Sequence, residues 1–423
     1  MRALIAFDKF KDALTAQAAC EIARDTLQTS SADCVVDLCP LTDGGEGFVD
    51  VLTAAMSGRF VTVPVTGPRG GKLTASVGLV RLAALPAEAV ELLGLPGVNA
   101  RDTPDSLLAV IAMSSASGLA LLPPTERDPW QTSSTGTGEL IRAAANIDGG
   151  TGAPPASRKD PTDLHRQEPI AGSAAHLRGR ARVSAILLGI GGSATNDLGL
   201  GALAALGLQF LDTGGHVVSP VVPAEWARIR QITGGIEPLP PIRIACDVTN
   251  PLAGSNGATA VYGPQKGLRA KDVDRLEGEV LRLAAMLQQH CQAPADFSNM
   301  PGAGAAGGIA FGLATALDAR LVNGFELLCA WCDLNARLQA ADVVITGEGR
   351  FDATSLQGKG PGAVAERARK LGKPVHVFAG QIQTKPIAGI SWQEITPAGR
   401  QLLGALRTRR ENLAAAVRAA LCY

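Results

Sequence analysis

Short runs of apolar residues, each followed by a turn rich in glycine or acids and then by a helical pattern, recur along the chain. The clearest run covers residues 183–188; Gly189, Gly191 and Gly192 follow it, and apolar residues then return at helical spacing through Leu206. A continuous apolar run of this kind predicts a strand buried on both faces of a parallel sheet. The glycines leave backbone N–H groups free for a bound phosphate or carboxylate.

The same patterns predict an α/β fold. Apolar runs predict strands over residues 2–7, 35–38, 60–65, 73–80, 242–245, 343–346 and 375–379. Helical spacing predicts helices over residues 15–27, 48–56, 107–121, 272–290, 309–317 and 402–421.

Length and composition indicate two domains. A chain of 423 residues exceeds the size at which single cores stop growing. Residues 82–106 carry little pattern, and we expect a peripheral insertion there. Residues 148–180 contain no Phe, Tyr or Trp, so they cannot bury enough apolar surface to offset their chain entropy. We expect this segment to be a disordered surface loop.

Charge and cysteine usage narrow the class of protein. Lys+Arg and Asp+Glu both number 39, so no net positive field favours a nucleic-acid partner. No stretch predicts a membrane span, and the scattered cysteines predict no disulfide framework. The C-x-x-C pair Cys329 and Cys332 lacks a second pair at zinc spacing, and we expect buried free thiols. We therefore expect a cytoplasmic protein that acts on a small molecule and can form a homodimer.

Carboxylates recur at the ends of the predicted strands, namely Asp8, Asp43 with Glu46, Asp197, Asp247, and Glu348 with Asp352. Grouped carboxylates repel one another unless a cation neutralises them, and Mg²⁺ is the usual cation where phosphate cradles lie nearby. Residues 189–196 and 302–308 are candidate cradles, and Lys11, Lys266 and Arg350 are candidate cations. This set suits phosphoryl transfer from a nucleotide. The P-loop and protein-kinase motifs are missing from the sequence.

Two other functions fit parts of the same pattern. Residues 189–194 match G-x-G-x-x-A after a strand, and Asp212 lies near the distance of a ribose-binding acid. These features would suit an NAD-dependent dehydrogenase. A protein that only binds a small anion is the third candidate, although the carboxylates argue against it.

Nine segments resemble the bacterial type I glycerate kinase family, in family order from residue 3 to about 420. They are DKFKDALT (8–15), PLTDGGEG (40–47), SGLALLPP (117–124), TGTGEL (135–140), GIGGSATND (189–197), ACDVTNP (245–251), YGPQKG (262–267), PGAGAAGG (301–308) and ITGEGR (345–350). The first departs from the family pattern D-S-F-K-G-[ST] by adding Lys9 and Asp12.

The resemblance implies ATP- and Mg²⁺-dependent phosphorylation of D-glycerate to 2-phosphoglycerate, with 3-phosphoglycerate as the alternative product. It also implies two α/β domains with largely parallel sheets and the site in the cleft between them. We expect a discontinuous domain of residues 1–62 plus 285–423, and an inserted, flavodoxin-like domain of residues 63–284.

We expect the following residues to form the site. The candidate catalytic residues are Asp197, Asp247, Lys11 and Arg350. The candidate substrate- and phosphate-binding residues are Asp8, Asp43, Gly44, Gly45, Glu46, Gly191, Gly192, Ser193, Asn196, Asn250, Lys266, Gly304, Gly307 and Glu348. The candidate metal ligands are Asp197, Asp247 and Asp352.

Overall fold

The chain folds into two compact units in the computed structural model. The structure describes residues 1–11, 13–31, 33–95, 106–147, 182–293, 295–352, 355, 360–384, 387–396 and 408–421. Unit 1 comprises Met1–Val51, Pro86–Ala89 and Asn323–Tyr423, and unit 2 comprises Leu52–Leu85 and Val90–Val322. The predicted disordered loop at 148–180 lies outside the described residues.

The strands alternate with helices along the chain. In chain order the strands are β1 (Arg2–Phe7), β2 (Val35–Leu38), β3 (Arg59–Thr66), β4 (Lys72–Arg81), β5 (Ser106–Ala112), β6 (Arg182–Gly189), β7 (Leu208–Leu211), β8 (Gln231–Gly234), β9 (Ile242–Ala245), β10 (Arg320–Val322), β11 (Val343–Phe351), β12 (Val375–Ile382) and β13 (Ile390–Glu394).

The α-helices are α1 (Ala16–Ser30), α2 (Phe48–Ala55), α3 (Ala87–Leu93), α4 (Ser114–Ser117), α5 (Thr135–Ala145), α6 (Leu200–Leu206), α7 (Ala258–Tyr262), α8 (Val273–Cys291), α9 (Ala305–Leu317), α10 (Gly324–Trp331), α11 (Leu334–Ala340), α12 (Gly360–Lys370) and α13 (Arg409–Leu421). Short 3₁₀ helices cover Leu82–Ala84, Leu119–Leu121, Pro124–Glu126, Pro223–Arg228, Pro264–Lys266 and Ala270–Asp272.

Unit 1 is built on a five-stranded parallel sheet in the order β13-β12-β11-β1-β2. Strand β1 is apolar on both faces, as a central strand of a covered parallel sheet must be. Ile5 and Phe7 pack in one core with residues of α1 and with Leu413 and Val417 of α13. Helix α1 begins where the Thr15 side chain accepts a hydrogen bond from the Ala18 N–H at 3.1 Å.

Unit 2 is built on a six-stranded mixed sheet in the order β10-β9-β6-β5-β4-β3. The four strands β10, β9, β6 and β5 are parallel, and β4 and β3 add antiparallel pairs at one side. Strands β7 and β8 form a separate antiparallel pair. The predicted fold class is therefore confirmed: both units are α/β, and the parallel sheet of unit 1 combines N- and C-terminal strands.

Two sequence-based assignments differ from the structure. The segment predicted as a helix over 107–121 begins as strand β5, which runs between β4 and β6. Its apolar run is short, and periodicity alone does not separate such a strand from a buried helix. The strand predicted over 343–346 continues to Phe351, because its backbone keeps pairing with β12 as far as Ile382. Glu348 and Arg350 therefore lie on a strand and not in a loop.

The cysteine prediction is confirmed for the C-x-x-C pair. Cys329 and Cys332 are both free and buried, at 3% and 7% exposure. None of the helices in the described segments combines the length and hydropathy needed to traverse a bilayer.

Helix α8 offers a matched test of the core of unit 2. Leu283 is fully buried, whereas Leu281 on the same helix is 47% exposed. We expect Leu283→Ala to lower the free energy of unfolding by about 2–5 kcal/mol, because it leaves a cavity. Leu281→Ala should change it by no more than about 0.5 kcal/mol. Urea unfolding of both variants checks this; equal shifts of the midpoint would contradict the assigned face of α8.

Candidate active site

Three acidic groups of unit 1 lie at neighbouring parallel strands: Asp8 and Asp43 in the turns after β1 and β2, and Glu348 within β11. Phe7 at the end of β1 pairs with Gly347 in β11. Asp8 and Glu348 are the residues that follow this pair, so they lie on neighbouring segments. The Asp8 N–H donates to the Gly347 carbonyl at 2.9 Å. Strand β2 lies on the other side of β1 and leads to the turn of Asp43. Sequence analysis thus placed these carboxylates at one sheet edge, where ligands of open α/β sheets bind.

Lys9 is a cation at this edge that was not among the residues expected to form the site. Its Nζ donates to Asp43 Oδ1 at 2.7 Å, and its backbone N–H donates to Asp8 Oδ1 at 2.7 Å. Asp43 Oδ1 also accepts a hydrogen bond from the Gly45 N–H at 3.1 Å. The sequence signal for Lys9 was its position directly after Asp8, where it departs from the family pattern.

Burial raises the pKa of two of these carboxyl groups towards neutral pH. Burial, with the nearby charge of Asp43, raises the pKa of Asp8 to about 7. Burial also raises the pKa of Glu348 to about 6, and Asp352 and Asp43 contribute to the same direction. The Oε1 atom of Glu348 is buried and has no hydrogen-bond partner among the described residues. Such an atom is suited to a ligand proton or a cation.

The remaining candidates of unit 1 are more exposed. Arg350 is exposed, and its Nε lies 3.5 Å from Asp352 Oδ2. Lys11 is exposed and lines a small cavity beside Gly349 and Gly380. In the turn of Asp43, Gly44 is buried with a φ of +80° and Glu46 is exposed. The left-handed conformation of Gly44 explains why glycine follows Asp43.

The edge of the sheet in unit 2 brings together two further candidate turns. Gly189 at the end of β6 pairs with Ala245 at the end of β9, so residues 190–199 and 246–251 follow adjacent strands. Asp247 is half-buried in the second turn. There, Asn250 Nδ2 donates to the Asn256 carbonyl at 2.8 Å, and the Tyr262 hydroxyl donates to Asn250 Oδ1 at 2.6 Å.

Asp197 is fully buried and stabilises the backbone of this region. Its Oδ2 accepts hydrogen bonds from both the N–H and the hydroxyl of Ser134 at 2.7 Å, and its Oδ1 accepts one from the Gly199 N–H at 3.2 Å. Burial raises the pKa of Asp197, although these hydrogen bonds act in the opposite direction. Its predicted catalytic and metal-binding roles stay predictions. The structure adds a role in holding Ser134 and the turn together.

Lys266 reaches the same turn from the other side. Its side chain is 1% exposed, and its Nζ donates to the Thr195 carbonyl at 2.5 Å. Burial lowers the pKa of Lys266 to about 7, against the attraction of the Asp197 charge, which raises it. Lys266 therefore stabilises the turn through a hydrogen bond made inside the protein.

The residues of the glycine turn differ in how far they reach solvent. Gly192 is exposed with a φ of +70°, Gly191 is partly exposed, and Ser193 is 7% exposed. Asn196 is fully buried: its Nδ2 donates to Thr259 Oγ1 at 3.1 Å, while its Oδ1 has no partner in the described part of the chain. Gly191 and Gly192 therefore present the accessible backbone of the turn, whereas Ser193 and Asn196 are buried beneath it.

The second glycine-rich segment, 302–308, packs directly against this turn. A Cβ on Gly307, which has a φ of +77°, would lie 2.2 Å from the Thr195 carbonyl oxygen. A Cβ on Gly304 would lie 2.2 Å from the Pro251 carbonyl oxygen. These glycines allow the close approach of three turns, so a packing role accompanies the predicted phosphate-binding role of Gly304 and Gly307.

Asp197 and Asp247, two of the predicted metal ligands, belong to unit 2, and Asp352 belongs to unit 1. Within the described ranges, no three His, Cys, Asp or Glu side chains are arranged to hold a metal ion. Mg²⁺ bound with a nucleotide usually takes only one or two carboxylates from the protein. The metal-binding roles of these three residues stay predictions.

The dinucleotide-binding alternative does not match the geometry around residues 189–194. Helix α6 begins at Leu200, well after the glycines, whereas a dinucleotide-binding turn opens directly into its helix. Asp212 follows β7, which lies in the separate two-stranded sheet. Its carboxylate accepts hydrogen bonds from the Gly214 and His216 N–H groups. Asp212 therefore closes a local turn.

Comparisons with known proteins decide the family. The model of the glycerate kinase family matches residues 3–151 and 173–421. The chain belongs to this family. It is therefore a phosphotransferase, as sequence analysis predicted, and membership implies ATP and glycerate as substrates.

Individual relatives agree with this assignment. The glycerate kinase of Bacillus subtilis is 35% identical over 393 residues, covering 90% of this chain and 85% of the relative. The glycerate 2-kinase of Escherichia coli is 33% identical over 386 residues, covering 90% and 86%. A crystal structure assigned to glycerate kinase 2 of Salmonella typhimurium LT2 has a TM-score of 0.69 at 33% identity, covering 99% of this chain and 96% of that chain.

Two glycines test the packing of segment 302–308 on the turn. Gly307→Ala should lower the free energy of unfolding by more than about 1 kcal/mol, because alanine disfavours the positive φ and meets the Thr195 carbonyl. Gly278→Ala is the control: Gly278 lies on helix α8 with no atom near its Cβ position. This change should stabilise the protein by about 1 kcal/mol. Urea unfolding measures both; a neutral Gly307→Ala would contradict the close approach.

The raised pKa of Asp8 predicts a pH dependence of stability. A carboxyl group with a folded pKa of about 7, above the ordinary 3.8, binds more protons in the folded than in the unfolded state. Its contribution is present at acidic pH and is lost as the pH rises towards 7. We expect Asp8→Asn to become more stable than the wild type as the pH rises from about 4 to 7, and the difference to level off above that. Parallel stability curves in urea, without ligand, would contradict the shift.

Proposed function

We propose that the protein transfers the terminal phosphoryl group of ATP to D-glycerate and forms 2-phosphoglycerate, with 3-phosphoglycerate as the alternative product. The observation that carries this proposal is the family match, which covers residues 3–151 and 173–421 and includes the candidate turns of both units. Phosphoryl transfer needs positioning and electrostatic stabilisation more than covalent chemistry from the protein. The residues of each unit can supply these.

In unit 1, Glu348 is our candidate for the group that accepts the proton of the reacting hydroxyl. A general base works best when its pKa lies near the working pH, and the pKa of Glu348 is about 6. Its buried Oε1 has no partner in the described chain and can receive the proton. Asp8 is the neighbouring carboxyl group, and its higher pKa of about 7 favours the protonated form beside an ionised Glu348. The earlier candidates Asp197 and Asp247 remain alternatives for this role.

The cations of unit 1 would neutralise the transferring phosphate. Lys11 and Arg350 are exposed and therefore accessible to a ligand, as proposed from the sequence. Lys9 differs from them because its ammonium group is bound to Asp43 at 2.7 Å. It would lower the repulsion among Asp8, Asp43 and Glu348 before any ligand binds.

In unit 2, the accessible backbone of Gly191 and Gly192, with the adjacent Ser193, would bind an anionic group. Its N–H groups are the natural donors for a carboxylate or a phosphate. Lys266 would act on this turn through the Thr195 carbonyl, and Asp197 would act through Ser134. Asp247 and Asn250, on the adjacent turn, would contact the ligand or its metal.

Mg²⁺ would accompany the nucleotide, and Asp352 of unit 1 fits it. The charge of Asp352 contributes to the raised pKa of Glu348, so a cation bound by Asp352 would offset this repulsion. Carboxylate oxygens are the ligands that Mg²⁺ prefers. When bound, the ion would neutralise charge on the phosphate oxygens. Asp352 would hold it, with Asp197 and Asp247 as the alternatives in unit 2.

A pair of glutamates tests the mechanism. Glu348→Gln keeps the shape of the side chain but removes its basic carboxylate, so we expect kcat to fall by about 100-fold or more. Glu394→Gln changes an exposed glutamate of the same unit and should leave kcat within about twofold. A coupled assay of ADP release with D-glycerate measures both variants, and NMR of the product places the phosphate.

The wild-type protein provides the test of the function itself. ADP release that depends on D-glycerate is the expected result, and its absence would refute the proposal. Fluorescence titration with NADH tests the dehydrogenase alternative, for which tight NADH binding would be required. Gel filtration of the purified protein tests the homodimer.

A further inference from the structure

Ser114, the first residue of helix α4, lies beside the glycine turn that follows β6 in unit 2. It comes just after Ala112, the last residue of β5, which pairs with Gly189 at the end of β6. The Met113 N–H donates to the Gly189 carbonyl at 2.8 Å, so the two chains stay bonded up to the residue before Ser114. Ser114 was not among the residues expected to form the site.

Backbone hydrogen bonds hold the segment of Ser114 against the glycine turn. The Leu119 N–H donates to the Gly192 carbonyl at 2.8 Å, and the Ala194 N–H donates to the Ser117 carbonyl at 2.9 Å. A Cβ on Gly192 would lie 3.7 Å from the Ser114 Cβ, so the two residues are in contact. The main chain makes these bonds, and the position of Ser114 therefore does not depend on its own side chain.

The hydroxyl of Ser114 has no hydrogen-bond partner in the described part of the chain, although the residue is only 8% exposed. The other two serines of α4 differ from it. The Ser115 hydroxyl donates to the Ala112 carbonyl at 2.7 Å, and the Ser117 and Thr137 hydroxyls hydrogen-bond each other at 2.8 Å. A hydroxyl that is largely removed from water costs free energy unless it finds a partner. The Ser114 hydroxyl is therefore suited to a bound ligand.

The neighbouring groups are hydrogen-bond donors without acceptors. The Gly191 and Gly192 N–H groups donate to no acceptor among the described residues, and the hydroxyl of Ser193, which is 7% exposed, also has no partner there. Neither residues 112–119 nor residues 189–196 include an acidic side chain. Free N–H and O–H donors on one short stretch, without a carboxylate beside them in the chain, favour an anion over a cation.

We propose that Ser114 is a further binding residue of the anion site at Gly191 and Gly192, where its hydroxyl donates a hydrogen bond to a carboxylate or phosphate oxygen of the substrate. The proposal rests on the proposed function, because glycerate and ATP are the sources of these two anions. A hydrogen bond to a charged oxygen is about twice as strong as one between neutral groups. Loss of the Ser114 hydroxyl should therefore weaken binding of the anion without weakening the fold.

Urea unfolding separates this binding role from a structural one. Ser114→Ala removes a hydroxyl that has no partner in the described chain, so the unfolding midpoint should stay unchanged or rise. Ser117→Ala removes one member of a fully buried hydroxyl pair and should lower the midpoint. A Ser114→Ala protein that is destabilised or fails to fold would show that the hydroxyl serves the fold, which would overturn the proposal.

Adjacent serines give a matched binding test. Calorimetric titration of the full-length protein with D-glycerate and with ADP should show binding of one of the two weakened by about tenfold or more in Ser114→Ala. Ser115→Ala should bind both within about twofold of the wild type, because the Ser115 hydroxyl is already bonded to the Ala112 carbonyl. Unchanged affinity for both ligands in Ser114→Ala would refute the assignment.

The two titrations also identify the source of the anion. A loss confined to D-glycerate assigns Ser114 to the carboxylate, and a loss confined to ADP assigns it to a phosphate; both results support the proposal. In the coupled assay, KM for the affected substrate should rise by the same factor while KM for the other stays unchanged. If the wild type does not phosphorylate glycerate, the proposed function fails, but titration of Ser114→Ala and Ser115→Ala with ADP and inorganic tripolyphosphate still tests the anion site. Equal affinity of the two variants for both probes would then refute it.

Discussion

A buried lysine holds the turn of residues 190–199 in unit 2. The ammonium group of Lys266 lies inside the protein and donates to the Thr195 carbonyl, next to a buried Asp197. Buried charges are costly unless hydrogen bonds and opposite charges compensate them. Here Ser134, Gly199 and the Thr195 carbonyl provide that compensation. These bonds hold the turn of residues 190–199, to which the accessible backbone of Gly191 and Gly192 belongs.

Unit 1 also holds buried carboxyl groups. Asp8 and Glu348 follow paired residues of β1 and β11, and burial is the main cause of the raised pKa of both groups, to which the charge of Asp43 adds. Lys9 relieves part of this repulsion through Asp43. Its ammonium group stays partly accessible, with 22% of the side chain exposed. This edge of the sheet thus combines carboxyl groups whose pKa lies near neutral pH with the side-chain cation of Lys9.

The sequence predicted most of the scaffold but only part of the site. Strands β1 and β2 were predicted with their observed bounds, because continuous apolar runs between polar turns leave few alternatives. The apolar run that became β5 was misassigned, since its burial depends on β4 and β6 and not on local pattern. The positions of the acidic groups could be predicted from where the strands end. The supporting roles of Lys266 and Asp197 could not be predicted, because the burial of a charged side chain depends on packing by segments distant in sequence.

The pairing of β1 with β11 has a consequence for how the protein is made. Ala3 lies beside Val343, so the central pair of this sheet joins residues that are 340 positions apart. Contacts this distant raise the contact order and slow the formation of a sheet. During synthesis, β1 and β2 emerge first, while β3–β10 of unit 2 can all pair before β11 leaves the ribosome. One edge of the apolar strand β1 thus stays unpaired until β11 is made, and unpaired edges of this kind favour aggregation of partly folded chains.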